Sequence, residues 1–188
     1  LAAQILEAQG FDGAAKEIYE NLRSIGSFSD MSVSKLALIS SRKGHVAEGM
    51  QIVETAKSEK DGPSDGLDLT LGYLAVTRER WVNAQRAFQA LDHRQKGNPY
   101  CLVALGNIYH ANLVDPGRYM RNLQHAADSY KRVLRVDASN AFAANGLGMT
   151  LAEKGASREA QAVFNTVRMV VTQPLPDANI NVANVLVR

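Results

Sequence analysis

The sequence predicts an all-α chain, a right-handed α-solenoid of helix–turn–helix repeats. Two observations predict it. The first is a spacing of small and large residues: Leu147-Gly148 is followed by Ala160, 12 residues after the glycine, and by Phe164, 4 residues later. The second is that this frame restarts along the chain. Earlier frames read Leu105-Gly106, Ala126, Tyr130; Leu71-Gly72, Ala84, Phe88; Leu36-Ala37, Gly49, Val53; and Ala2-Ala3, Ala15, Tyr19. A last restart, Val182-Ala183 with Leu186, precedes the end.

A helix pair repeated about every 34 residues, with a Leu-Gly, a later Ala and a large apolar residue four further on, is the tetratricopeptide repeat (TPR). The residue types have a physical reason. Two closely packed helices need small side chains where they meet (Gly148, Ala160), and large ones (Leu151, Phe164) fill the gaps beside them. One repeat departs from the spacing: Ala126 follows Gly106 by 20 residues, so about eight are inserted near 113–124. The chain reads as one array, with repeats over 1–29 (partial), 30–64, 65–98, 99–140 and 141–175 and a terminal helix over 176–188. Leu1 and Arg188 both fall inside expected helices, so the sequence is expected to be a piece of a longer array.

In order, the first pair is expected over 1–9 and 12–25, broken at Gly10 and closed by Gly26-Ser27. The second covers 32–43 and 45–57, with Gly44 between and a Lys60-Asp61-Gly62-Pro63-Ser64 turn after. The third covers 65–77 and 81–93. Pro99 suits the first turn of the next helix, where its missing N–H is no loss. That helix covers 100–112, and Val114-Asp115-Pro116-Gly117 breaks it. One long helix follows over 118–136, so the insertion is expected to extend it backwards by about two turns (Arg118 to Gln124). The fifth pair covers 141–154 and 157–171, with Gly155 as an αL cap between its helices. Gln173-Pro174-Leu175-Pro176 cannot be helical and sets off the last helix.

Composition supports close helix packing: 46% of residues are hydrophobic and only 6% aromatic. The net charge of +2 is near balance, so bulk electrostatics give no reason to expect nucleic-acid or membrane binding. A single cysteine, Cys101, excludes an internal disulfide framework and fits a reducing compartment. No apolar run approaches the roughly 18 residues of a membrane span.

The chemistry-bearing residues form no catalytic, cofactor or metal constellation. His45, His93, His110 and His125 have no partner at metal-ligand spacing and read as surface histidines near helix ends, although His110 and His125 flank the insertion and could approach. Cys101 has no base beside it and reads as a packing residue. Gly146-Leu147-Gly148 lacks the third glycine of a dinucleotide fingerprint and follows no strand. Lys131, Arg132 and Arg135, with Asp128 and Asp137 close by, read as a solvated helix face rather than a phosphate contact. Trp81 reads as core or half-core.

What remains is the face that each repeat's first helix turns into the groove. Its expected members are Leu69, Tyr73 and Val76; Val103, Asn107 and His110; Asn145, Met149 and Ala152; and Ile180, Asn181 and Asn184. Asn107 and Asn184 hold equivalent positions. An asparagine amide donates and accepts at once, so it can pair with both main-chain groups of an extended peptide. Solvated or loop-capping asparagines fit the pattern equally well. The face lacks the lysines of a carboxylate clamp, which favours a long apolar–polar segment over an acidic C-terminus.

Residues 98–168 resemble more than a generic TPR. Leu102-Val103-Ala104-Leu105-Gly106-Asn107, Tyr130-Lys131-Arg132-Val133-Leu134-Arg135-Val136-Asp137-Ala138-Ser139-Asn140, Ala143-Ala144-Asn145-Gly146-Leu147-Gly148, Leu151-Ala152-Glu153-Lys154-Gly155 and Arg158-Glu159-Ala160 together resemble the large TPR subunit of the RNA polymerase II-associated factor (PAF) complex. Asn179-Ile180-Asn181-Val182-Ala183-Asn184 is similar to that family too. The resemblance implies a nuclear, non-catalytic scaffold that holds other subunits along its groove, travels with elongating RNA polymerase II and supports histone modification. Beside it, the charge balance and the absence of a chemical constellation lead us to expect no small molecule, no membrane and no direct nucleic-acid partner. Two other readings stand beside it: a TPR cochaperone or trafficking adaptor, and a substrate-presenting TPR region of a larger enzyme.

Overall fold

The computed structural model describes residues 2–24 and 30–170. The expectations for Ile180, Asn181 and Asn184, and for a helix over 176–188, fall outside the described residues. Among the described residues the chain forms ten α-helices and no strand. They are α1 (Ala2–Ala8), α2 (Asp12–Ser24), α3 (Asp30–Arg42), α4 (Val46–Ser58), α5 (Asp65–Thr77), α6 (Trp81–Arg94), α7 (Pro99–Ala111), α8 (Tyr119–Val136), α9 (Ala141–Glu153) and α10 (Ser157–Val170). The fold is an α-solenoid of helix–turn–helix repeats. It divides into two compact units, Leu1–Leu91 and Asp92–Arg188. In the first, α1 packs on α2, α3 on α2, α4 and α5, and α4 on α5. In the second, α8 packs on both α7 and α9, and α10 packs on α9.

The linkers inside four of the five helix pairs share one geometry. Each three-residue link turns on its middle residue: Gly10 (φ 82°), Gly44 (φ 87°), Glu79 (φ 55°) and Gly155 (φ 79°). The next residue then donates to the carbonyl five positions back: Phe11 to Leu6 at 2.8 Å, His45 to Ser40 at 2.9 Å, Arg80 to Ala75 at 2.9 Å and Ala156 to Leu151 at 3.0 Å. This is the Schellman arrangement, which satisfies the last carbonyls of a helix and needs a left-handed residue. Glycine takes that conformation freely, whereas Glu79 takes it against its own Cβ.

The small–large frame appears as ring-over-glycine packing. A Cβ on Gly72 would lie 2.7 Å from the Phe88 ring, and one on Gly148 would lie 2.4 Å from the Phe164 ring. The glycine therefore clears space for an aromatic ring, where the spacing alone suggested that two backbones meet. Direct backbone approach does occur in the second repeat. There a Cβ on Gly49 would lie 2.5 Å from the Ala37 carbonyl oxygen. That repeat has Val53 where the others have an aromatic, and Val53 is fully buried. With no ring to seat, the two helices close on each other instead.

The insertion divides between turn and helix. A 3-10 turn, Asn112–Val114, continues from α7. Asn112 Nδ2 donates to the Ile108 carbonyl at 2.8 Å, and Asn122 Nδ2 donates to the Asn112 carbonyl at 2.9 Å. Gly117 N–H then closes on Asp115 Oδ1 at 3.0 Å, across Pro116. α8 starts at Tyr119 and has 18 residues against 14 in α10. The helix therefore starts within one residue of the expected 118; relative to α10 it is longer by about one turn, where two were expected, and the hydrogen-bonded turn takes up the rest of the insertion. The inserted segment also reaches the next repeat: Tyr119 Oη donates to Glu153 Oε2 at 3.1 Å, and Lys154 Nζ donates to Gln124 Oε1 at 3.1 Å.

Candidate functional site

The expected groove residues sit on α5, α7 and α9. α5 carries Leu69, Tyr73 and Val76 in the first unit. Leu69 and Val76 are half-buried and Tyr73 is exposed. Tyr73 meets the Phe88 ring edge-on, with centroids 5.3 Å apart. In the second unit α7 carries Val103, Asn107 and His110, and α9 carries Asn145, Met149 and Ala152. Asn107 is exposed and the other five are half-buried. The helix starts are fixed by side-chain caps. Ser64 Oγ accepts from Leu67 N–H, Asn98 Oδ1 from Tyr100 and Cys101 N–H, and Asn140 Oδ1 from Ala143 N–H. Pro99 occupies the first turn of α7.

α7 and α9 pack on each other, and each carries a row of the expected groove positions. Positions 100, 103, 107 and 110 share one face of α7, and positions 142, 145, 149 and 152 share one face of α9. This adds two residues that sequence reasoning missed, Tyr100 and Phe142, each 66% exposed. The signal was present: each lies one turn before a groove residue and two positions after a capping asparagine (Asn98, Asn140). An exposed aromatic at the same place in successive first helices offers large contact area at low conformational cost.

Asn107 Oδ1 accepts from the Tyr130 hydroxyl at 2.7 Å, which fixes the orientation of the amide and occupies one of the oxygen's two lone pairs. The Nδ2 donor and the second lone pair remain for a peptide. Burial holds the Tyr130 phenol above its ordinary pKa, so it stays a proton donor at physiological pH. On α9, Asn145 Nδ2 lies 3.9 Å from the Met149 sulfur, a long contact within the same face.

His110 is a half-buried member of this face. Its Nε2 is buried and has no hydrogen-bond partner. Desolvation lowers its pKa, and the nearby Glu153 carboxylate opposes this by the smaller effect. His125 is engaged separately, its ring 5.0 Å from that of Tyr109. The two histidines that flank the insertion thus have different neighbours. Among the described residues, no group of three or more His, Cys, Asp or Glu side chains could hold a metal ion. Cys101 is buried, and no described helix is long and apolar enough to cross a membrane. None of α5, α7 and α9 contains a lysine or arginine.

No protein-family model matches the chain. The chain is similar to the RNA polymerase-associated protein CTR9 of Caenorhabditis elegans, at 32% identity over 123 residues, 61% of this chain and 11% of the relative. It is also similar to the CTR9 homolog of Arabidopsis thaliana, at 31% identity over 161 residues, 80% of this chain and 15% of the relative. The chain therefore spans a small part of either relative, and the resemblance seen over 98–168 extends well beyond that block. Among solved structures it resembles TTC0263, a TPR protein of Thermus thermophilus, with a TM-score of 0.72 at 17% identity, over 85% of this chain and 82% of that one. A TPR protein of Parabacteroides merdae gives a TM-score of 0.74 at 15% identity, over 99% of this chain and 70% of that one. These likenesses establish the TPR fold.

Proposed function

We propose that this chain, which resembles a segment of the RNA polymerase-associated protein CTR9, is an internal scaffold segment of a PAF-type transcription elongation complex. It acts in the nucleus and does no chemistry of its own. The observation that carries the reading is this likeness over 80% of the chain, and the faces of α7 and α9 supply a surface for the task. Tyr100 and Phe142 are the apolar anchors, Val103 and Met149 the partly buried floor, and the Asn107 amide a donor to a partner's main-chain carbonyl. The ligand is a segment of another subunit with apolar residues at intervals. With no cation on α5, α7 or α9, an acidic C-terminus gains nothing there, which disfavours the cochaperone reading.

The test is retention from nuclear extract on the immobilised 188-residue chain, with mass spectrometry of what is held. RNA polymerase II-associated factor subunits are the expected catch. The Tyr100→Ala/Phe142→Ala variant should retain them at least about tenfold less, as loss of aromatic anchors does. Retention of chaperones in their place would refute the assignment to this complex. Unchanged retention by the variant would move binding off this face.

A further inference from the structure

α8 carries a second surface, on the side turned away from its neighbours. Its buried residues, among them Leu123, Ala126, Tyr130 and Val133, occupy one half of the helix. The opposite arc exposes Arg121, Asp128, Lys131, Arg132 and Arg135 on consecutive turns, spanning about 21 Å. Lys154, from the end of α9, joins this arc through its hydrogen bond to Gln124 at 3.1 Å. Two carboxylates face these five cations. Asp128 Oδ1 accepts from Gln124 Nε2 at 2.8 Å, and Asp92 holds the Arg132 guanidinium through both oxygens, at 3.1 and 3.0 Å. Asp137, at the helix end, is turned to Ser139 and Asn140. The imbalance extends through the sequence: residues 92–188 hold 11 Lys or Arg against 7 Asp or Glu, and residues 1–91 hold 10 against 12. The basic surplus therefore belongs to the second unit alone.

The edges of the arc decide which polyanion it suits. Met120 and Val136, 69% and 83% exposed, flank the cations on either side. Exposed aliphatic side chains gain by burial against an apolar partner and gain little from a phosphate backbone. The arc's ring, His125, lies against Tyr109, so no free aromatic platform awaits a base. We infer that the outer arc of α8 docks an acidic segment of a protein partner that carries leucine-like residues between its carboxylates. This surface is separate from the face of α7 and α9.

The test uses the full chain and a fluorescein-labelled synthetic peptide of alternating Glu and Leu residues, about as long as the arc is (some 14 residues in helical form). The peptide should bind, and more weakly as salt is raised. Lys131→Glu/Arg135→Glu should lower its affinity at least about tenfold, and the neutral pair Lys131→Gln/Arg135→Gln several-fold, with helicity by circular dichroism unchanged. The charge-matched double reversal Lys43→Glu/Arg78→Glu, at exposed sites in the first unit, should leave the affinity within about twofold. A peptide that does not bind, or that binds all four proteins alike, overturns the inference. So does a duplex DNA of equal charge that binds more tightly than the peptide and responds to the same reversals, since the arc would then be a phosphate surface.

Discussion

The Tyr130 hydroxyl donates to Asn107 Oδ1 at 2.7 Å, and the Tyr130 ring fills the space over two glycines on different helices. A Cβ on Gly106 would lie 2.5 Å from that ring, and a Cβ on Gly146 would lie 2.4 Å from it. One side chain of α8 thus locks α7 to α9, a repeat to its successor. Tyr130→Phe should cost about 1 kcal/mol, the net worth of one hydrogen bond. Gly146→Ala should cost about 1–3 kcal/mol by overpacking. Urea unfolding of both variants gives the comparison, and an alanine tolerated at 146 would contradict the packing described.

The same bond changes how Asn107 should be tested. Asn107→Ala removes a fold contact together with any binding group. Asn107→Asp keeps an acceptor for Tyr130 and removes the outward donor. Asn107→Asp is therefore expected to weaken partner binding while thermal stability stays within about 0.5 kcal/mol. Equal binding by this variant and the parent, read by titration, would take Asn107 out of the site.

Phe164 is 1% exposed and packs over Gly148 beside Ala160. Phe164→Ala should cost about 3–5 kcal/mol and open the fifth repeat locally. Hydrogen exchange should show protection lost in α9 and α10 first. A change below about 1 kcal/mol would mean that the repeat register is wrong.

Glu79 holds the left-handed link position that glycine fills at 10, 44 and 155. Glu79→Gly should stabilise the chain by up to about 1 kcal/mol, because relief of the Cβ clash exceeds the added backbone entropy of glycine. Differential scanning calorimetry would register this as a higher melting temperature, and a lower one would show that the Glu79 side chain has a role the fold does not reveal.

His110 makes stability depend on pH. Its folded pKa lies below the unfolded value, so the unfolded chain binds the proton more readily. This contribution is fully present above the unfolded pKa of about 6.5 and is lost as pH falls through that value toward the folded one. His110→Gln should flatten the decline between about pH 7 and 5, read as the difference in melting temperature between those pH values. Parallel profiles for the two proteins would show that Glu153 compensates the proton in full.

Element order and type were legible because periodicity reports them directly. Gly72, Ala84 and Phe88, or Gly148, Ala160 and Phe164, state a packing rule within one repeat, and the rule recurs. The insertion was legible in length and in its helix bounds, expected over 118–136 and found over Tyr119–Val136; the side-chain hydrogen bonds of Asn112, Asp115 and Asn122 that shape its turn were not. The expected groove positions Val103 and Asn145 lie one turn from Tyr100 and Phe142, which the sequence reading did not include. Those aromatics resemble core residues in sequence, and only their exposure separates them from Tyr130 and Phe164.

The sequence by itself determined that this chain is a TPR array, which repeat carries the insertion and which family it resembles. The first two rest on spacing along the chain and the third on the residue runs of 98–168, all of them local properties. The tertiary structure decided that glycines face rings, that Tyr130 bonds to Asn107, that the insertion braces Glu153 and Lys154, and which cations on α8 are left in surplus. Each depends on groups 16 to 40 residues apart, whose distances are set by how helices pack and not by how their residues are spaced.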